Sequence, residues 1–182
     1  MDNKLLSKSD IIKYLEKINE KLAFEQKNGE IIIAGGASLT IVYGARESTY
    51  DIDALFVPQE DMRRIIKDIA IENSLNDDWL NDGVKGFMTN KMKFDEILKF
   101  SNLTVYSIEA EGLLAMKLTS ARPDTKDMED SVFLMKHLKI DKEGQLFEII
   151  NKYMHPKQQS IRSKFFTQEA FKIYQNSRIN NS

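Results

Sequence analysis

From Glu30 to Val57 the chain reads EIIIAGGASLTIVYGARESTYDIDALFV. Two apolar, β-branched runs flank a stretch that opens on a glycine pair and a serine. Runs of this length and composition read as buried strands, and the segment between them reads as a short helix, roughly Ser38 to Tyr43, that stops near Gly44. Strand, tight turn, helix and strand in such close succession commit the chain to a small sheet with helices packed on it.

The remaining elements extend that pattern. Ile11, Leu15, Ile18 and Leu22 keep helical spacing behind Ser9-Asp10 as a helix start. Pro58 closes the second strand, and QEDMRRIIKDIAIE is a helix with Met62, Ile65, Ile66 and Ile69 on one face. NSLNDDWLNDGVKGF has the composition of a loop, NLTVYSI reads as a further strand, and helices are expected from about Glu109 to Ala121 and, past Pro123, from Asp124 to Lys139. DKEGQLFEIINKYM and FTQEAFKIYQNS complete a helical C-terminus. The expected fold is α+β (α/β): a small mixed sheet flanked by helices, then a helical half. The expected division is a domain over 1–140 and a C-terminal helical extension over 141–182 that can pack on the same domain.

Composition narrows the chemistry. At 182 residues, 42% hydrophobic and 30% charged, the chain resembles ordinary globular proteins. It has no apolar run of membrane-span length, and its first residues lack the apolar core of a secretion signal, so a cytoplasmic protein is expected. The absence of cysteine excludes disulfides, a thiol nucleophile and a zinc-thiolate site, and His137 and His155 are too few for a histidine metal site. From Lys152 onward six Lys or Arg face a single acid, Glu169, so this end carries +5 and the rest −7 of the net −2. A basic end on an acidic body suits an anionic partner such as RNA, and suits equally well a solvated helical face.

Asp51 and Asp53 stand one residue apart in a segment that otherwise reads as buried. In a strand they share one side, about 6–7 Å apart, while Ile52 and Ala54 face the core. Two carboxylates so placed repel each other unless a cation lies between them. Mg²⁺ (or Mn²⁺) is the natural cation, because it takes one or two protein carboxylates and completes its shell with water and phosphate oxygens. The plainer alternative is a pair of edge-strand surface aspartates. Gly35-Gly36 lets the backbone approach a ligand closely, the following helix directs amides outward, and Ser38 adds a hydroxyl in its first turn. A glycine pair alone also serves tight turns. An anion cradle and a metal clamp on neighbouring strands are what nucleotidyl or phosphoryl transfer needs.

GGASLTIVYGARESTYDIDALF resembles the signature of the polymerase-β-like nucleotidyltransferase superfamily, and within it the small AbiEii-type and MenT-type toxins of toxin–antitoxin and phage-defence systems. Arg46, Thr49, Asp51 and Asp53 occupy the places of that branch's R…T-x-D-x-D run. WLNDGVKGF and LLAMKLTSARPDTKDMEDSVFL resemble further segments of the branch, so that the resemblance covers roughly residues 30–138. It implies an enzyme binding an NTP with magnesium, with Asp51 and Asp53 as metal ligands and Asp51, Asp53 and Lys117 as catalytic residues. Gly35, Gly36, Ser38, Arg46, Thr49, Arg122, Asp127 and Asp130 would bind the nucleotide, the last two by orienting Lys117 and Arg122 or lining the site. It implies transfer of a nucleoside monophosphate to a hydroxyl of a tRNA 3′ end or a protein side chain, and a cognate antitoxin as partner.

The plainer roles stand beside these. Lys117 on an apolar helix can snorkel, and Asp124 and Asp127 can cap a helix. Trp79 either stacks on a base, with Asn81 and Asp82 near sugar or metal, or pins its loop to the core. Phe165, Phe166, Phe171 and Tyr174 either stack on RNA or belong to a core. Many superfamily members use a third carboxylate on a later strand; the strand matched to it, NLTVYSI, has none, and Glu109 and Glu111 read as acids at the start of the next helix, which leaves the general base unassigned. Two rival functions remain: a non-catalytic nucleotide- or partner-binding relative, and an antibiotic-modifying nucleotidyltransferase.

Overall fold

The glycine pair and the two carboxylates lie at one end of a mixed sheet whose strand order places them side by side. The structure is a computed structural model and describes residues 5–122 and 126–179. Its strands are β1 (Leu6–Ser7), β2 (Gly29–Ile33), β3 (Ser48–Thr49), β4 (Ile52–Val57), β5 (Leu80–Asn81), β6 (Phe94–Lys99) and β7 (Leu103–Ile108). Its helices are α1 (Lys8–Phe24), α2 (Gly35–Ile41), α3 (Gln59–Asn73), α4 (Ala110–Ser120), α5 (Asp127–His137), α6 (Glu143–Tyr153) and α7 (Ile161–Ile179). The fold class is α+β. Among the described residues no helix is long and apolar enough to cross a membrane.

The chain divides into two compact units. One takes in the residues up to Gly86 together with Phe94–Ile108; the other takes in Phe87–Lys93 and the residues from Glu109 onward. α4 and α5 group with α6 and α7 in the second unit.

In the first unit the sheet order is β5-β4-β2-β7-β6, with β1 and β3 forming a separate antiparallel pair. β4 runs antiparallel to β2, and β7 and β5 run parallel to β2 and β4 respectively. Alternation decides what each strand buries. Ile31, Ile33, Ile52, Ala54, Phe56, Leu103 and Val105 are buried and pack with Leu15, Ile18 and Leu22 of α1 and Met62, Ile65 and Ile69 of α3. Asp53, Leu55, Ile32, Thr104 and Tyr106 take the alternate positions and are half-buried. The face that carries Asp53 is therefore not the face that anchors the helices.

Local chemistry sets several boundaries. α1 starts earlier than the Ser9-Asp10 reading: Ser7 is its N-cap, and Asp10 closes a capping box, its Oδ2 accepting from the Ser7 amide at 3.0 Å. α2 begins on the glycine pair itself rather than at Ser38, and α7 begins at Ile161, before the expected FTQEAF run. Asp124 and Pro123 lie outside the described residues. β6 was not expected. It is an edge strand, exposed along much of both faces, and so lacks the alternation that reveals half-buried strands.

In the second unit α4 is central and nearly all buried, with α5, α6 and α7 packed against it. Phe166, Phe171 and Tyr174 are core residues of α7, whereas Phe165 faces solvent. Lys152 pairs with Glu111 and Arg178 with Asp141, so part of the basic tail is bound to acids of its own unit.

Candidate functional site

Backbone pairing brings Asp53 against the glycine turn. The register puts Ile33 opposite Ala54, and the Ala34 amide donates to the Asp53 carbonyl at 2.8 Å. The chain then turns at Gly35 in the left-handed region, φ +59°, where a side chain is disfavoured. A Cβ at Gly35 would stand 3.0 Å from Asp53 Oδ2. Glycine is required here by conformation, and a Cβ would in addition press on the Asp53 carboxylate.

Gly36 is glycine for space alone. A Cβ there would lie 2.5 Å from Thr49 Oγ1 and 3.0 Å from Arg46 Nη1. Thr49 is buried on β3, held opposite Leu6 of β1. The turn is thus touched on one side by a carboxylate and on the other by a hydroxyl and a guanidinium. No side chain caps the start of α2, and Thr40 Oγ1 donates back to the Gly36 carbonyl at 3.0 Å. The Ser38 hydroxyl is fully buried and without a hydrogen-bond partner among the described residues, an orphaned polar atom in a place where such atoms are normally satisfied.

Asp51 precedes β4 and Asp53 lies within it, both half-buried, with Ile52 and Ala54 fully buried between and beyond them, as alternation requires. The strand beside them is β5, in the register Ile52–Leu80 and Asp53–Asn81. Asn81 Nδ2 donates to Asp51 Oδ2 at 3.3 Å, and Asn81 Oδ1 accepts the Gly83 amide at 2.9 Å. NLTVYSI forms β7 and carries no carboxylate. β7 pairs with β2, whereas the strand next to the two aspartates is β5, in the stretch whose composition predicts a loop. It presents an amide where a third carboxylate was sought. The signal that could have found β5 is Trp79-Leu80, two buried residues inside an otherwise polar stretch.

Trp79 takes the core role. It is 2% exposed, donates Nε1–H to the Ile66 carbonyl at 3.1 Å, and meets the Tyr14 ring edge-on at 5.4 Å. Asp82 is paired with Arg63 and Lys85; the Lys85 hydrogen bond holds its carboxyl below the usual range.

The second unit holds the other residues expected at the site. Lys117, only 7% exposed, sends its ammonium to Asp127 Oδ1 at 2.7 Å and Asp130 Oδ2 at 2.9 Å. Ser120 Oγ donates to Asp127 Oδ2 at 2.7 Å, and Arg122 Nε reaches the same oxygen at 3.2 Å. Burial pushes the Asp127 carboxyl up, but the charge and hydrogen bond of Lys117 outweigh it and hold the group below its ordinary value. An ammonium carries three protons, and these carboxylates engage two. Lys117 does not snorkel: it is the centre of a buried ion network that joins α4 to α5. Glu109 is the N-cap of α4, and Glu111, in its first turn, accepts from Lys152 Nζ at 2.6 Å and Tyr153 OH at 2.9 Å.

Among the described residues no group of three or more His, Cys, Asp or Glu is placed to hold a metal. Two half-buried carboxylates beside the glycine turn do suit Mg²⁺, which retains water and substrate oxygens in its shell. A cleft of about 330 Å³ lies at the opposite end of β2 and β4, around Gly29, Val57 and Asn102, away from these carboxylates.

Comparison with known proteins gives one family. A model described as "Nucleotidyltransferase of unknown function (DUF6036)" matches residues 9–177. Neither the curated proteins nor the solved structures contain a match.

Proposed function

The chain belongs to this nucleotidyltransferase family, and from that premise we propose that it is a magnesium-dependent enzyme that transfers a nucleoside monophosphate from an NTP to an acceptor hydroxyl. The observation that carries the reading is the packing of Gly35 against Asp53, which sets the glycine turn and the carboxylate pair side by side.

Asp51 and Asp53 would hold the metal. When bound, Mg²⁺ supplies charge neutralisation for the triphosphate. The residues of this chain do the rest of the positioning. Gly35 and Gly36 keep the turn's backbone close to Asp53, Thr49 and Arg46, and Arg46 brings a positive charge to Gly36. In the transfer the acceptor oxygen bonds to the α-phosphorus, the bond to the bridging oxygen of pyrophosphate breaks, and the acceptor proton leaves to solvent. Lys117, Arg122, Asp127 and Asp130 are assigned to the nucleotide by resemblance; their buried network supports a role in which Asp127 and Asp130 orient the two cations.

Resemblance to the AbiEii and MenT branch supports a tRNA 3′ end or a protein side chain as acceptor, and a toxin restrained by an antitoxin in the cytoplasm. Expression in a host, with and without Asp53→Ala, tests this: growth arrest relieved by the substitution is the expected result.

A second reading, a non-catalytic nucleotide-binding relative, draws on Asn81, since the strand neighbour of Asp53 offers no base. Calorimetry separates the two. Nucleotide binding that needs Mg²⁺ and is followed by pyrophosphate release belongs to the enzyme; binding indifferent to Mg²⁺ with no pyrophosphate release belongs to the relative.

A further inference from the structure

The geometry points to Asn81 as a positioning residue that holds Asp51 in the metal-free protein and keeps the carboxylates of this strand pair at two, an inference that rests on the metal-binding reading of Asp51 and Asp53. Asn81 is the residue in register with Asp53 across the β4–β5 pair, yet its side chain reaches Asp51. Its two ends are fixed separately. The Gly83 amide, 2.9 Å from Oδ1, requires an acceptor there, which assigns Nδ2 to the Asp51 side. The second Nδ2 proton goes to the Asp78 carbonyl at 3.3 Å, a bond within the same turn. Gly83 is also glycine for this turn: a Cβ would come within 2.9 Å of Asn81 Oδ1 and 3.9 Å of Asp53 Oδ1.

The choice of amide over acid has a consequence. An aspartate of the same shape at 81 would keep the Gly83 bond but set a negative oxygen against Asp51 Oδ2, where the amide now donates a hydrogen bond. Without a cation that arrangement is repulsive, and with a cation it is a better ligand set. Asparagine at 81 therefore helps two neighbouring carboxylates stay ordered before metal and nucleotide arrive. Hydrogen-bond partners of a ligating carboxylate tune metal affinity in this way elsewhere.

Mn²⁺ titration of the full chain without nucleotide, read from the paramagnetic signal of free Mn²⁺, tests this together with thermal melts with and without Mn²⁺. Asn81→Ala is expected to weaken Mn²⁺ binding about 10-fold. Asn81→Asp is expected to act in the opposite sense: a lower Tm without metal, restored by Mn²⁺, and tighter Mn²⁺ binding than the wild type. Opposite signs from two substitutions at one position separate this role from a general loss of packing. Should Asn81→Ala not fold, the near-isosteric Asn81→Asp decides alone. Mn²⁺ affinity within twofold of wild type in either folded variant overturns the inference while leaving the metal site intact. Wild-type affinity retained in Asp51→Asn with Asp53→Asn overturns the metal site itself, and the inference with it.

Discussion

Gly35, Gly36 and Asp53 divide the work of the turn, and substitution tells them apart. Gly35 is needed for its backbone, so Gly35→Ala should destabilise the protein by about 1–2 kcal/mol in urea unfolding. Gly36 has no such strain. Gly36→Ala has to displace Thr49 Oγ1 and Arg46, so its expected effect is weaker NTP binding, measured by calorimetry, with a smaller change in stability than Gly35→Ala. Asp53→Asn removes charge but little packing. It should reduce transfer at least ~100-fold, in keeping with the loss of a metal ligand, and leave Tm unchanged or slightly higher because a like-charge repulsion is relieved. A transfer rate within a few-fold of wild type for Asp53→Asn would count against the assignment.

At the scale of elements, Lys117 ties α4 to two acids of α5. Lys117→Met leaves Asp127 and Asp130 buried without the ammonium that both of them bind, while Arg122, which also reaches Asp127, is largely exposed. Removing one member of a buried ion network typically destabilises by about 3–5 kcal/mol, and loss of far-UV helical signal at much lower urea is the expected measurement; a shift below about 1 kcal/mol would show that the network is dispensable. The long elements could be read from the sequence because their periodicity is strong: α1, α3, β2, β4 and β7 each bury one regular face. The glycine turn and the aspartate pair were readable for the same reason, since they interrupt such runs. β5 and β6 were not. β5 is only Leu80–Asn81, stabilised by its neighbour β4, and β6 is an edge exposed on both sides; neither carries a local pattern. The identity of the residue beside Asp53 therefore depended on a long-range pairing that no local signal encodes. The buried state of Lys117 depended likewise on two acids supplied by another helix.

For the whole molecule, acid is the weak direction of the second unit. The Lys152 hydrogen bond holds Glu111 low against the effect of burial, and Asp127 is held low by Lys117 despite its burial. A carboxyl whose folded pKa is depressed stabilises the fold at pH above its unfolded value, about 4.3 for Glu and 3.9 for Asp, and that stabilisation disappears as pH falls through the folded value. The urea midpoint should accordingly be insensitive to these groups from neutrality down to roughly pH 5 and fall below about pH 4. Glu111→Gln should flatten part of that fall. A midpoint that stayed constant down to about pH 3 would contradict the ion pairs as drawn.

Turn, strand pair and family converge on one chemical claim, that Asp51 and Asp53 serve NMP transfer. Incubation of the protein with NTPs labelled at the α-phosphate, Mg²⁺ and a total pool of RNA and protein acceptors measures it directly. Label on an acceptor is predicted with the wild-type chain and none with the Asp51→Ala, Asp53→Ala double variant; label transferred undiminished by the double variant would contradict the claim.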